Sequence, residues 1–345
     1  MFRRNSVRVK QILFVLLTIA ILAACGGNDD PEVAAPTVVP SHTPPPSATP
    51  ISTLSTSLAL LILPTDLDKP TSDLYQKTVY DLALASGFRF QVRNGITPED
   101  LADPTLKVVI ALPPDPGVAN YAPTAPNVQF LAVNIPDVTA GGNVSVLAPN
   151  TQVELPAFMA GYTLAMMTYE YHIGMLYPEG DANAQAALNA FSNGMRYYCG
   201  LCDGIYIDLV SYPAVLGIPA NEDPAKFGGY ANVLINDNKV GGLYIYPSLA
   251  TDDFLSYVGT QGVYLVGTVR PEPRPGGWLM TITPDTIKAI QTAWPQLIAG
   301  QGGQNVQSPL GIADVDTSIL TEAKLRLVKE TLDALIAGRI LPSNP

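Results

Sequence analysis

The sequence predicts an α/β fold with two mainly parallel sheets, each covered by helices on both faces. From Leu58 onward, short apolar runs alternate with segments of helical period. Strands that are apolar along their whole length are typical of parallel sheets buried on both faces. About ten such runs indicate two sheets rather than one. Ligands of such sheets bind outside the carboxyl ends of the strands, so two facing lobes would share a cleft there.

Each predicted strand is a short apolar run, and each predicted helix repeats apolar residues three and four positions apart. The strands are 58–63, 88–92, 107–112, 128–133, 143–147, 172–177, 205–210, 243–246, 263–266 and 278–282. The helices are 72–86, 154–168, 182–198, 224–236, 252–259, 284–298 and 321–337. In the helix at 154–168, Leu155, Phe158 and Tyr162 follow this spacing clearly.

The charge of the chain argues against a nucleic-acid partner. The 345 residues include 19 Lys+Arg and 30 Asp+Glu, a net charge of −11. Four of the basic residues lie in the first ten positions, which leaves 15 basic against 30 acidic residues in the rest. Binding to nucleic acid depends on clustered Lys and Arg, so we expect no nucleic-acid partner. With two histidines and three cysteines, we expect neither a metal nor another cofactor.

Residues 1–24 are predicted to be a lipoprotein signal peptide. A basic stretch precedes the apolar run 12–22, which is too short to span a bilayer comfortably but suits a signal-peptide core. The run ends in LAACG, residues 22–26, which resembles the lipobox of bacterial lipoproteins. This resemblance implies lipidation of Cys25 and anchoring in the lipid bilayer of the cell membrane, facing the extracytoplasmic side. The alternative is an ordinary secretion signal with an incidental cysteine.

Residues 25–57 are predicted to be a tether. The segment is rich in Pro, Ser and Thr and has neither a helical nor a strand period. Such a composition buries too little apolar surface to offset the entropy of ordering. Proline keeps the segment extended at ~3.1 Å per residue, so it can lift a folded domain on the order of 90 Å off the membrane.

Several motifs resemble those of the basic membrane protein family. Residues 158–168, FMAGYTLAMMT, resemble its F-x-A-G-Y-x-A-A helix, and HIGML at 172–176 resembles the strand that follows. FSNGM at 191–195 stands where the family has a helix ending in G-F-x-A-G. The ending LIAGRILP at 335–342 resembles the closing helix and its G-x-I-x-V-P tail. Members are substrate-binding lipoproteins of ABC transporters with the type I periplasmic-binding-protein fold, and many bind nucleosides.

The resemblance covers about residues 58–342 and implies two lobes joined by a hinge. Lobe 1 would comprise 58–148 plus about 279–305, and lobe 2 would comprise 149–278 plus about 306–345. The implied function is binding of a small polar, nucleoside-like solute for an ABC importer, with a membrane permease as partner. A ligand-sensing or interaction lipoprotein without transport is the alternative. No G-x-S-x-G, H-E-x-x-H or phosphate-loop motif occurs, so we expect no enzyme.

The chain departs from the family at two places that bear on the ligand. Residues 64–70, PTDLDKP, contain carboxylates but lack the Ser-Phe-Asn that members usually carry after the first strand. The carboxylate that nucleoside binders carry late in the chain is missing after the strand at 263–266. Carboxylates commonly hold a ribose diol, because they accept two hydroxyl hydrogens. These departures concern the ligand and leave the fold prediction intact.

Polar and aromatic side chains at predicted strand ends are the candidate ligand contacts. They are Thr65, Asp66, Asp115 and Asn134 in lobe 1, and Tyr177, Glu179, Tyr212, Tyr246, Ser248, Thr268 and Arg270 in lobe 2. Aromatic rings can stack on a planar or sugar ligand, while acids and hydroxyls fix its orientation. Arg270 can hold an anion bidentately. The alternative for each residue is a structural role in a loop, capping a helix or a turn.

Two further features concern cysteine and histidine. Cys199 and Cys202 follow the carboxyl end of a predicted helix, whereas thioredoxin-type redox pairs lie at a helix N-terminus, where the dipole lowers the thiol pKa. An oxidising compartment favours a structural disulfide, with free thiols as the alternative. His172 lies in an apolar predicted strand, and we expect a core residue rather than a general base.

Overall fold

The structure, a computed structural model, describes residues 56–200 and 210–343, which form two six-stranded sheets flanked by helices. The strands of the first sheet are β1 (Leu58–Ile62), β2 (Arg89–Arg93), β3 (Leu106–Ala111), β4 (Gln129–Val133), β5 (Val144–Ala148) and β11 (Asn305–Gln307). Those of the second are β6 (Ile173–Pro178), β7 (Ala214–Ile218), β8 (Gly242–Ile245), β9 (Tyr264–Gly267), β10 (Trp278–Pro284) and β12 (Leu310–Ala313). The α-helices are α1 (Lys69–Ala85), α2 (Pro98–Ala102), α3 (Val118–Tyr121), α4 (Glu154–Met167), α5 (Ala182–Cys199), α6 (Phe227–Asn232), α7 (Asp252–Gly259), α8 (Thr286–Ile298) and α9 (Glu322–Ile336).

Both sheets are parallel, apart from one edge strand. The first has the order β11-β5-β4-β3-β1-β2, and every neighbouring pair is parallel. The second has the order β12-β10-β9-β8-β6-β7, and only β12 runs antiparallel to its neighbour. Every residue of β1 and β4 is buried, as expected for strands covered on both faces. The predicted fold class is confirmed: α/β, with two parallel sheets between layers of helices.

Three connections in the described residues join the two lobes, a lobe being one sheet with its helices. They run from β5 to α4, from β10 to α8, and from β11 to β12. The helix α8 belongs to the first lobe, because Ala289, Ile290 and Trp294 pack into the core of the first sheet. Each connection leaves its strand at the carboxyl end. The carboxyl edges of the two sheets therefore face each other beside these connections.

The connections contact one another. The backbone N–H of Ser308 donates to the carbonyl of Ala148 at 3.0 Å, and the N–H of Asp285 donates to the carbonyl of Pro309 at 2.7 Å. The strand β10 pairs with β9 in the second sheet, so the chain returns to the first lobe after Pro284 and not near residue 279. The sequence pattern does not reveal this boundary, because a buried strand has the same apolar run in either sheet.

The strand next to β6 differs most from the prediction. Of the predicted strand 205–210, only Val210 is described, and it lies in a bend. The observed partner of β6 is β7, an edge strand that contains Gly217 and leaves Val215 38% exposed. The sequence of β7, AVLGI, is itself an apolar run, but the prediction places the strand in the earlier run at 205–210. The strands β11 and β12 have three and four residues, and the sequence carries no strand prediction for either.

Several predictions fall on residues outside the described ranges. The predicted signal peptide, Cys25 and nearly all of the predicted tether precede Thr56, and Cys202 lies in the gap between residues 200 and 210. Cys199 ends α5 and is disulfide-bonded, and its pairing with Cys202 stays a prediction. In the described part of the chain, no helix has both the length and the apolar character needed to cross a bilayer.

The helices α4 and α5 approach each other through glycine. A β-carbon on Gly161 would collide with the carbonyl of Phe191, and one on Gly194 would collide with the carbonyl of Phe158. All residues of α4 from Pro156 to Met166 are buried. These glycines lie in the two helical motifs that resemble the basic membrane protein family. The motifs therefore specify close helix packing in the core of the second lobe.

Asn143 secures the loop before β4. Its Nδ2 donates to the carbonyls of three residues, Ala122, Ala125 and Val128, at 3.1, 3.0 and 2.7 Å. We expect N143A to lower the free energy of unfolding by about 1–3 kcal/mol, because the three carbonyls lose this shared side-chain donor, although those of Ala122 and Ala125 each keep a backbone donor. Urea denaturation of N143A beside N120A, which alters an exposed asparagine, measures this cost. Equal stability of the two variants would contradict the assigned role.

Candidate ligand cleft

The carboxyl edge of the first sheet forms an open groove. Its volume is about 450 Å³, and it is lined by residues that follow β1, β2 and β3, including Thr65, Asp66, Asn94 and Asp115. Three of the candidate ligand contacts therefore lie around one depression, as the strand-end argument expects. Asn134 follows β4 at the same edge, where it is exposed and has a φ of +52°. It does not line this groove.

The two carboxylates of this groove have different surroundings. Asp115 Oδ1 accepts hydrogen bonds from the backbone N–H groups of Gly117 and Val118, at 3.0 and 2.9 Å. Asp115 therefore holds the turn that leads into α3, a structural role. Asp66 lies exposed in the turn after β1 and has no hydrogen bond or ion pair with a described residue. Its carboxylate is available to a ligand.

The carboxyl edge of the second sheet carries five of the candidates. Tyr177 and Glu179 lie at the end of β6, Tyr246 and Ser248 follow β8, and Thr268 follows β9. These three strands are neighbours in the sheet. The backbone N–H of Tyr246 donates to Leu176 at 2.9 Å, which fixes the end of β8 beside the end of β6. The edge thus presents phenol, hydroxyl and carboxylate groups side by side.

Tyr246 is the most enclosed of these residues, with 6% of its surface exposed. Its ring packs in the core of the second lobe, together with Phe191 and Tyr244. Burial is the main cause that raises the pKa of the Tyr246 hydroxyl, and the negative charges of Asp181 and Glu154 raise it further. The phenol is therefore neutral at ordinary pH, and its hydroxyl lies within electrostatic reach of two carboxylates.

Glu154 and Asp181 are further candidates that strand-end reasoning misses, because their negative charges act on Tyr246. Glu154 lies in the first turn of α4, and Asp181 is the N-cap of α5. Asp181 Oδ1 accepts from the backbone N–H groups of Asn183 and Ala184, at 2.8 and 3.2 Å. Both residues lie where a helix begins, whereas strand-end reasoning selects only residues that follow a strand. Because these helices start at the carboxyl edge of the sheet, their first residues are candidates as well.

Arg270 is engaged by protein carboxylates. Its guanidinium pairs with Glu272 and with Asp314, the Nε–Oδ1 distance to Asp314 being 3.4 Å. The hydrogen bond that the guanidinium donates to Glu272 is the main cause that raises the pKa of Arg270 above its ordinary value. These contacts fasten the loop after β9 to the segment after β12. The structure thus gives Arg270 a structural role and does not leave it free to hold an anionic ligand.

Tyr212 lies at the opposite edge of the second sheet from the other candidates. It precedes β7 instead of following a strand at 205–210. Its hydroxyl donates to the carbonyl of Asn238 at 2.7 Å, and its ring stacks on His172 with centroids 4.3 Å apart. His172 itself precedes β6, and its side chain is 20% exposed. The amino edge therefore contains a packed aromatic pair that is remote from the facing carboxyl edges.

Comparisons with known proteins found only distant similarities, all to solved structures. No protein-family model matches the chain, and no curated protein is similar to it at a significant level. A solved ABC transporter system solute-binding protein from Conexibacter woesei DSM 14684 is 14% identical, with a TM-score of 0.49 over 83% of this chain and 98% of that one. A transcriptional activator of the comK gene from Bacillus halodurans is 10% identical, with a TM-score of 0.48 over 83% and 99%. An ABC transporter system solute-binding protein from Aeropyrum pernix K1 is 14% identical, with a TM-score of 0.41 over 83% and 92%.

These similarities carry no argument about function, because the identities are low and each TM-score is below 0.5. The fold assignment rests on the strand order of the two sheets and on the three connections between them. Membership of the basic membrane protein family stays a prediction. The architecture is the two-lobed α/β arrangement of mainly parallel sheets that the sequence predicts.

Proposed function

We propose that the protein is an extracytoplasmic solute-binding lipoprotein of an ABC-type importer, which binds a small polar ligand between its two lobes. The observation that carries this proposal is the position of the two carboxyl edges. They face each other, and they carry carboxylate, hydroxyl and phenol groups such as Asp66, Glu179 and Tyr246. A few convergent polar groups with aromatic side chains are typical of small-molecule sites.

The connections support closure of the lobes as the mechanism. Asp285 alone separates β10 from α8, and Ser308 and Pro309 alone separate β11 from β12. Short connections grouped at one place let the lobes rotate by changes in few backbone dihedral angles. A ligand that contacts both lobes when they are closed, and one lobe when they are open, shifts the population toward the closed form. The closed form is then the one that a membrane permease recognises.

The location of the protein is part of the same proposal. The signal peptide and the lipobox cysteine Cys25 support anchoring in the membrane, and the Pro-rich tether supports a domain held away from it. Resemblance to the basic membrane protein family favours a nucleoside-like solute. The chain differs from the family at 64–70 and after 263–266, and these differences weaken the case for a nucleoside. The experiment below therefore assumes no class of ligand.

Mass spectrometry of small molecules released from the purified full chain tests the proposal. We expect one molecule per chain, and a smaller radius of gyration by X-ray scattering with the ligand than after its removal. Adding the molecule back at 100 times its Kd should stabilise the protein by ~2.7 kcal/mol. D66N should weaken binding, whereas D81N, on the outer face of α1, should not. The proposal fails if nothing is released and if nucleosides, sugars, amino acids and amines at millimolar concentration leave the melting temperature unchanged.

A further inference from the structure

A second groove, which we call the hinge groove, lies beside the connections between the lobes. Its volume is about 630 Å³, and its two walls are α8 of the first lobe and α9 of the second. Its floor is the segment 306–312, which contains the connection from β11 to β12. No described residue lines both the hinge groove and the groove after β1 and β3. The hinge groove is therefore separate from the proposed solute site.

The hinge groove presents apolar side chains from both lobes. Ala289 and Val306 pack with the core of the first lobe, and Leu310 and Leu332 belong to the core of the second. Ile336, one turn after Leu332 on α9, also lines the groove and is 43% exposed. The two cores thus meet beneath a groove of the size that small-molecule sites have. Its apolar surface favours a ligand with an apolar part, because binding removes that surface from water.

Two lysines, one on each wall, supply positive charge to the hinge groove. Lys288 lies on α8, Lys329 lies on α9, and both are exposed. Neither ammonium group has an ion pair or hydrogen bond with a described residue. By contrast, Lys69 and Lys77 each pair with an aspartate one turn away, at 2.6 and 2.5 Å. The two lysines of the groove are therefore available to an anion from outside the described chain.

Two carboxylates line the same groove, and one of them is already engaged. Asp285 Oδ1 accepts from the backbone N–H of Lys288 at 2.8 Å and so caps α8. Asp333 is exposed, lies one turn after Lys329 and forms no ion pair with it. The groove thus has two ammonium groups and one free carboxylate, although acids outnumber bases by 30 to 15 in the chain after its first ten residues. This local excess of positive charge favours an anionic ligand.

We propose that the hinge groove binds an amphiphilic anion, an aliphatic chain that carries a carboxylate group. The chain lies on Leu310, Leu332 and Ile336, and the carboxylate accepts charge-assisted hydrogen bonds from Lys288 and Lys329. A small inorganic anion would leave the apolar floor in water, and a neutral amphiphile would leave both lysines unpaired. This second site goes beyond the proposed solute-binding function, and its binding test does not depend on that function.

The position of the hinge groove couples its ligand to closure of the lobes. Rotation at the connection between β11 and β12 moves α8 relative to α9, because the two helices pack in the cores of different lobes. A ligand that contacts both walls therefore has different affinities for the open and closed arrangements and shifts their populations. By linkage, this ligand and a solute in the cleft change each other's affinity by the same factor.

Titration calorimetry of the full chain with octanoate tests the site. Octan-1-ol and octylamine have the same chain with a neutral or a positive group, and butanoate has the same group with four fewer methylenes. We expect one octanoate per chain, and at least about tenfold weaker binding of each other probe. K288Q and K329Q should each weaken octanoate binding about threefold or more, and D333N should strengthen it. K77Q, which alters an exposed lysine of α1, should leave it unchanged.

A matched pair of isoleucine variants tests the apolar part of the site. I336S should weaken octanoate binding about threefold or more, because the chain loses an apolar contact. I298S should leave it unchanged, since Ile298 is 39% exposed but does not line the hinge groove. Saturation with octanoate should change the affinity for a solute of the cleft at least about fivefold.

The outcomes separate this inference from the proposed function. Octan-1-ol binding as tightly as octanoate, or octanoate binding that survives K288Q and K329Q together, overturns the site. Absence of octanoate binding at millimolar concentration also overturns it, and a solute released from the purified chain then leaves the proposed function intact. Octanoate binding to a chain that releases and binds no solute supports the site while the proposed function fails. A cleft affinity that octanoate leaves unchanged overturns the coupling to closure.

Discussion

Replacing Gly194 by alanine is expected to destabilise the second lobe by about 3 kcal/mol or more. The new β-carbon would collide with the carbonyl of Phe158 and lie 2.9 Å from the backbone nitrogen of Tyr162. Backbone atoms of a buried helix cannot rotate away as a side chain can, so α4 and α5 would have to separate. Separation would open the core around Phe191, which is fully buried. Urea denaturation followed by circular dichroism measures the loss.

Gly229 offers the matched control for this prediction. It lies in α6, has an ordinary helical φ, and a β-carbon built on it meets no atom within 4 Å. G229A should therefore be neutral, or stabilising by up to ~1 kcal/mol, because alanine has the higher helix propensity. If G194A unfolds at the same urea concentration as the wild type, α4 and α5 do not approach as closely as described. Failure of G194A to fold, with G229A intact, agrees with the prediction.

Replacing Trp278 by alanine is the second change for which we expect a large loss, about 3–5 kcal/mol. The side chain is 1% exposed and lies over Gly267 in the core beside β9. Its Nε1–H donates to Thr281 Oγ1 at 3.2 Å, and that hydroxyl donates to Asp314 Oδ2 at 2.7 Å. Removing the ring leaves a cavity and breaks this chain of hydrogen bonds.

Comparison of W278A with W278F separates the cavity from the lost hydrogen bond. Phenylalanine fills most of the volume but donates no hydrogen bond, so W278F should lose less than W278A. L84A serves as the surface control, because Leu84 is 62% exposed and its loss should change stability by no more than ~0.5 kcal/mol. A cost for W278A as small as that of L84A would show that the core collapses around the missing ring.

Burial explains which parts of the fold could be predicted from the sequence. The strands β1 and β4 are buried along their whole length, so their apolar runs identify them directly. The edge strand β11 has only three residues, NVQ, and both of its terminal residues are exposed, so it leaves no such run. The boundary after β10 escapes prediction because pairing with β9 is a long-range contact that no local pattern encodes.

The candidate site was predictable to the extent that strand ends define it. That rule places Asp66 and Tyr246 at the facing edges, where the structure has them. It omits Glu154, whose importance depends on where α4 begins relative to the sheet. The rule also predicts that Arg270 contacts the ligand. In the structure Arg270 pairs with Asp314 instead, and the sequence does not reveal this pairing because the two residues lie in segments that are distant in sequence. Charges that are compensated through tertiary contacts cannot be recognised from a local motif.

The three connections between the lobes also affect how the nascent chain matures during synthesis. The first sheet is completed by α8 and β11, which are translated only after the strands β6 to β10. Until then its core lacks Ala289, Ile290 and Trp294, and an apolar face remains uncovered. The second sheet in turn is incomplete until β12 has been translated. Neither half can be cut out as a continuous fragment, so the two halves reach their final form together, after β11 and β12 have been translated.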